Sequence, residues 1–114
     1  MRKANKFGAI AVTVDGIRFD SMREARRWGE LRLMEKAGEI RNLRRQVRIP
    51  LEGRNGPIAF QPSGRKAVYV ADFVYEDSRL EWAEVIEDSK GHQTPDFKLK
   101  RAVLAAQGVE IVLT

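Results

Sequence analysis

Ten residues, AVYVADFVYE (Ala67–Glu76), are apolar but for an aspartate in the middle and a glutamate at the end. Valine, tyrosine and phenylalanine at this density read as a β-strand. Asp72 then sets a condition on any fold the chain adopts. An ionised carboxylate among apolar neighbours is costly unless something is paired with it. The fold must therefore bring a partner to Asp72, and few stretches of a 114-residue chain can supply one.

The remaining segments read as follows. VTVDGIRFDS (Val12–Ser21) alternates around Asp15-Gly16, the signal of a two-residue hairpin inside an N-terminal region, residues 1–20. Ser21 begins a helix running to about Ala37, with Glu24 at the capping-box position. Ala25, Trp28, Leu31 and Met34 form its buried stripe, and Gly38 ends it. Asn42–Leu51 is a first strand. Residues 52–66, rich in glycine and proline, are a loop or a splayed hairpin. Ala67–Glu76 is the second strand and Leu80–Lys90 the third. Thr94-Pro95 caps a second helix that stops at Gly108, and VEIVLT closes as a last strand. The order is α-β-β-β-α-β in one domain, a mixed sheet flanked by helices.

The third strand ends in VIEDSKG (Val85–Gly91). Residues two apart on a strand share a face, so Asp88 and Lys90 point one way while Glu87 and Ser89 point the other. If the second and third strands pair antiparallel, Asp72 comes to lie beside Asp88. A tight turn at Ser78 would set Asp72 opposite Glu84 instead, ~13 Å out of register at strand rise. Pairing centred near Leu80, or a bulge, is required. Two carboxylates at close range repel, and a divalent cation relieves the conflict. Such a cation lowers the pKa of a bound water, and a lysine beside it neutralises developing negative charge. These are the requirements of phosphodiester hydrolysis.

Asp72, Asp88-Ser89-Lys90 and a preceding helix that carries Glu24 resemble the PD-(D/E)xK nuclease superfamily. FDSMREARRWGEL, YVADFVYE, EDSKG and TPDFKLKRAVL resemble, more closely, a family of small phage-encoded endonucleases similar in outline to Holliday junction resolvases. The resemblance spans about Lys6 to Val112. Two departures stand out: Ala71 occupies the place of the motif's proline, and Glu87 precedes Asp88 as an additional acid. The resemblance implies a restriction-endonuclease-like core, with Asp72 and Asp88 as ligands to Mg²⁺ (or Mn²⁺) and Lys90 as the catalytic lysine. It implies Glu24 as a further carboxylate, the Ser89 backbone carbonyl as a further ligand, and Gln46 as an orienting group. Glu24 also fits a plain helix cap, and both roles stay open.

The net charge of +5 is unevenly placed: +7 over residues 1–48, −4 over 49–89 and +2 over 90–114. Basic flanks around an acidic middle suit a polyanion partner. Arg23, Arg26 and Arg27 on the first helix, with Arg41, Arg44, Arg45 and Arg48 after it, are candidate contacts to DNA backbone. Lys98, Lys100 and Arg101 on the last helix, and the single histidine, His92, complete that set. Trp28 and Trp82 read as core. No base-reading motif is present, so recognition by DNA shape is expected. The absence of cysteine excludes disulfides, thiolate metal sites and a cysteine nucleophile. No apolar run reaches the length of a membrane span. The expectation is a cytoplasmic, phage-encoded, Mg²⁺-dependent endonuclease that acts on branched DNA as a homodimer. A nuclease for flaps, nicks or duplex ends is the alternative, and a non-catalytic DNA-binding module is a second.

Overall fold

The structure is a computed structural model and describes residues 10–114; residues 1–9 of the expected N-terminal hairpin region lie outside the described residues. Its elements follow the expected order. β1 (Val12–Val14) and β2 (Ile17–Phe19) form the hairpin, with Asp15 (φ 52°) and Gly16 (φ 78°) both left-handed in its turn. Two consecutive left-handed residues match the twist of a two-residue hairpin. α1 (Met22–Lys36) is capped by Ser21, whose Oγ accepts from the backbone N–H of Glu24 at 3.2 Å. The expected buried stripe of α1 is modified. Leu31 is buried, Ala25, Trp28 and Met34 are half-buried, and the other buried residue of the helix is Glu24.

β3 (Ile40–Pro50), β6 (Val68–Asp77), β7 (Ala83–Asp88) and β8 (Ile111–Leu113) make one sheet in the order β3-β6-β7-β8. The first two pairings are antiparallel and β7–β8 is parallel, connected through α2 (Pro95–Ala106). Residues 52–66 are a small hairpin rather than an open loop. β4 (Glu52–Gly53) pairs with β5 (Gly56–Pro57), and Ala59 bridges Lys66. The third strand is shorter than expected, because Ser78–Leu80 form a turn of 3₁₀ helix and Glu81 and Trp82 adopt left-handed φ values of 55° and 65°. This wide connection sets the register. Phe73 faces Glu87 and Asp77 faces Ala83, so the pairing centres on Leu80. Among the described residues no helix is long and apolar enough to cross a membrane.

The sheet has a core on each face. Under α2, Leu51, Ala67, Tyr69, Ala71, Val74, Phe97, Leu104 and Ile111 pack together. Under α1, Leu31, Ile40, Phe73, Tyr75 and Val85 do so, with Trp28 stacked on Phe73. Ala71 and Phe73 are two residues apart and both fully buried, yet they belong to opposite cores. A regular strand places such residues on one face. On the neighbouring strand the same thing happens. Val47 packs toward the α2 core, while Arg45 stacks on Phe19 and Trp28 on the α1 side. The faces of β3 and β6 therefore exchange at Gln46 and Asp72, which lie between the Arg45–Phe73 and Val47–Ala71 pairs. Gln46 carries the local conformational cost, with φ at 50°. The aspartate that interrupts the apolar strand thus sits where the strand changes sides, and there its carboxylate escapes both cores.

Candidate active site

Four elements bring side chains to this seam. β6 supplies Asp72. The end of β7 and the residues after it supply Asp88, Ser89 and Lys90. The first turn of α1 supplies Glu24, and β3 supplies Gln46. The N–H of Ser89 donates to Asp72 Oδ2 at 3.0 Å, tying the end of the third strand to the middle of the second. Gln46 Nε2 donates to Asp72 Oδ1 at 3.4 Å and to Glu24 Oε1 at 3.3 Å. One amide nitrogen thus holds two carboxylates within twice a hydrogen-bond length of each other. Lys90 Nζ lies 3.2 Å from Asp88 Oδ1 and 4.8 Å from the centre of the Phe97 ring. The Tyr69 hydroxyl donates to Asp88 Oδ2.

The electrostatics show incomplete compensation. Asp88 is fully buried and its carboxyl is raised above the ordinary range by desolvation, with Lys90 opposing. Its Oδ1 makes no hydrogen bond of good geometry, although the ammonium lies close by. Asp72 is raised as well, again chiefly by desolvation, with the Ser89 N–H, Lys90 and Gln46 lowering it. Glu24 is pushed up to about 7 by burial and by the neighbouring charges of Asp72 and Asp20, against Arg45, whose guanidinium is 3.8 Å away. Three acids with depressed acidity around one lysine form a cluster short of positive charge. A cluster in which burial raises several neighbouring carboxyls is a candidate functional site.

The bare site therefore penalises its own ionisation. Glu24 binds a proton more tightly in the folded state than in the unfolded chain, and Asp72 and Asp88 act in the same direction. The contribution of Glu24 to stability is full at pH below about 4.5 and is lost as pH rises through about 7. The expected result is a metal-free protein whose thermal midpoint falls between pH 5 and 7.5. In Glu24→Gln most of that slope disappears, and the variant is more stable at pH 7.5 by on the order of 2 kcal/mol. Thermal melts across that range, with chelator present, check it.

The donor set suits a hard divalent cation. Carboxylate oxygens with a nearby backbone turn are the ligands of Mg²⁺ or Mn²⁺, and the unbonded, buried Asp88 Oδ1 is an available donor. Among the described residues no group of three or more His, Cys, Asp or Glu is drawn together tightly enough to form a cage. Gln46, the Ser89 N–H, Tyr69 and Lys90 hold the acids individually instead. Mg²⁺ characteristically accepts one or two carboxylates and keeps waters in its remaining positions, so a sparse set is compatible with it.

Glu87 and Asp88 part as strand alternation requires. Glu87 is fully buried on the α1 side, where it accepts from Arg27 Nε, from Arg27 Nη2 at 3.3 Å and from the Tyr75 hydroxyl at 2.6 Å. Arg27 also pairs with Glu30 at 2.9 Å. Arg27 is thereby a brace between α1 and β7 rather than part of an outer basic wall. Arg45 likewise turns inward over Phe19 and Trp28. Arg44 reaches Glu84 at 3.2 Å and Arg41 reaches Glu76 at 2.6 Å while lying over Trp82, which is half-buried. Lys100 pairs with Asp96 at 3.4 Å; Arg101 is half-buried; Lys98 and His92 are exposed. Arg23, Arg26 and Arg48 are exposed. Tyr69, Tyr75 and Phe97, which position Asp88, Glu87 and Lys90, are not identifiable as site residues from sequence. Their only mark is an aromatic at alternate positions of a strand and in the first turn of a helix, the ordinary signature of core.

What these elements define is a mixed α+β domain whose sheet carries two aspartates and a lysine at a break between its two cores. A family model described as "Protein of unknown function (DUF1064)" matches residues 4–114, and the chain belongs to that family. No curated protein and no solved structure matches the chain.

Proposed function

We propose that the protein is a Mg²⁺-dependent DNA endonuclease of the PD-(D/E)xK type, selective for branched DNA in the manner of Holliday junction resolvases. One observation supports it above the rest: a β6–β7 register centred on Leu80 lets the Ser89 N–H hold Asp72 beside the Asp88–Lys90 pair. Asp72 and Asp88 would hold the cation, with Glu24 completing its surroundings. When bound, such a cation supplies an acidified water and a counter-charge to the phosphate. Lys90 Nζ, steadied over Phe97, sets positive charge where the phosphoryl oxygens gain negative charge. Water oxygen bonds to phosphorus and gives up a proton to solvent, the bond from phosphorus to the 3′ oxygen breaks, and that oxygen takes a proton from solvent, leaving 5′-phosphate and 3′-hydroxyl ends. Glu24 releases its proton near neutrality, so the negative charge available to a cation rises with pH, and activity with it. Two strands of a junction need two such sites, which a C2 homodimer provides.

The test is cleavage of a labelled four-way junction against matched linear duplex in Mg²⁺, Mn²⁺ or EDTA. Paired nicks near the branch point, dependent on metal, are the expected result. Metal-dependent cutting without preference for the branch would retain the chemistry and remove the junction assignment. Tight junction binding with no cutting in any metal would leave a DNA-binding module.

A further inference from the structure

On the α1 side of the candidate site lies a cleft of about 190 Å³ lined by Arg23, Arg26, Arg27, Glu30, Ser89 and Thr114. Its volume is several times the ~30 Å³ share of a water molecule, so a tetrahedral oxyanion fits. We infer that this cleft is a phosphate subsite separate from the carboxylate–lysine cluster. Assigning that phosphate to a DNA strand rests on the proposed function; the anion site itself rests on geometry alone.

The charges of the cleft come first. Arg27 is committed to Glu87 and Glu30, and these three groups together carry one net negative charge, which Arg23 and Arg26 outweigh. Arg23 and Arg26 are exposed and have no ion-pair partner among the described residues. They sit three residues apart on one face of α1, where their forks converge on one object. Two unpaired guanidinia over a partly enclosed cleft are the equipment for forked recognition of a phosphate.

The hydroxyls are the independent observation. Ser89 is nine-tenths buried, and its Oγ is shielded from solvent yet without a hydrogen-bond partner; Thr114 Oγ1 is in the same state. Both residues line this cleft. Buried hydroxyls are almost always satisfied, and two orphans in one small cleft point to an acceptor that completes them. A phosphate accepts from hydroxyls and guanidinia together. Ser89 also relates the cleft to the cluster: its N–H holds Asp72, and the residue lines the cleft. A phosphate bound there stands next to the linkage presented to Asp72 and Asp88. It is either the monoester at a strand end or the diester of a neighbouring nucleotide.

The experiment is done in EDTA, which removes divalent cations from the carboxylate cluster. Inorganic phosphate is titrated into the full chain while amide spectra of Ser89 and Thr114 and side-chain spectra of the arginines are followed, with chloride at equal ionic strength as the control. Saturable shifts at these residues with phosphate and not with chloride are expected. Arg23→Ala/Arg26→Ala, both at exposed positions and with the fold checked by circular dichroism, should weaken phosphate binding at least about tenfold. Equal responses to phosphate and chloride, or unchanged affinity in the double variant, overturn the subsite. Duplexes with 5′-phosphate or 5′-hydroxyl ends then separate the sources. Affinity that depends on the end phosphate only when both arginines are present assigns the monoester. A loss of affinity in the double variant that is equal for both ends assigns the diester. No loss for either end overturns the link to DNA. Phosphate binding that persists in a protein unable to cut any DNA in Mg²⁺ would sink the nuclease reading and leave the anion site standing.

Discussion

Asp88→Asn is expected to abolish metal-dependent cleavage, by about 10³-fold or more, while making the metal-free protein more stable. The two effects have one origin. The carboxylate is fully buried, its pKa is raised by desolvation, and its Oδ1 lacks a hydrogen bond. An amide of the same shape keeps a partner in the Tyr69 hydroxyl and removes a buried charge that Lys90 offsets only in part. Lys90, partly exposed, turns to solvent without difficulty. The expected gain is about 1 kcal/mol at pH 8 in EDTA, the usual sign when a strained functional group is neutralised. Adding Mg²⁺ should raise the thermal midpoint of the native protein and leave that of the variant unchanged, because a ligand stabilises only a state that binds it. Melts with and without Mg²⁺, run beside the cleavage assay, read both halves. A variant that melts lower than the native protein in EDTA would make Asp88 an ordinary structural acid.

Arg27→Met should cost more stability than any single exposed substitution on α1, about 3–5 kcal/mol. Its guanidinium is the charged partner of Glu87, which is completely buried and, among the described residues, otherwise bonded only to the Tyr75 hydroxyl. Loss of the guanidinium strands that carboxylate between α1 and β7. The companion variant Arg27→Met/Glu87→Leu should recover most of the loss, since replacing both members of a buried pair with apolar groups is often neutral. Denaturant melts of the single and double variants test this. Full stability in Arg27→Met, or no recovery in the double variant, would show that the pair is not what holds α1 to β7. Arg23→Ala and Arg26→Ala, by contrast, remove exposed side chains and should shift stability by less than about 0.5 kcal/mol.

Much of the fold is legible in the chain because its signals are local. Ser21, Asp15-Gly16 and Thr94-Pro95 each act through hydrogen bonds or φ preferences of immediate neighbours, and each lies where expected. The register that joins Asp72 to the end of β7 was legible in a weaker sense. The chemistry of the two acids required a wide connection, and Ser78–Trp82 provide it. The exchange of faces at Gln46 and Asp72 was not legible. Alternation assumes a regular strand, and nothing in RRQVR or VADFV announces that residues two apart will enter different cores. The inward turn of Arg27 and Arg45 was hidden for a related reason. A run of arginines reads as solvated charge, whereas these two are drawn in by Glu87 and by the Phe19 and Trp28 rings, which are distant in sequence.

The exchange of faces has a mechanical meaning. Glu24 is carried by α1, which covers one core, while Lys90 rests on Phe97 of α2, which belongs to the other. Asp72 is the pivot between them, held from one side by Gln46 and from the other by Ser89. The spacing between Glu24 and Lys90 is therefore set by how α1 and α2 are seated on the sheet, through β6, the strand that feeds both cores.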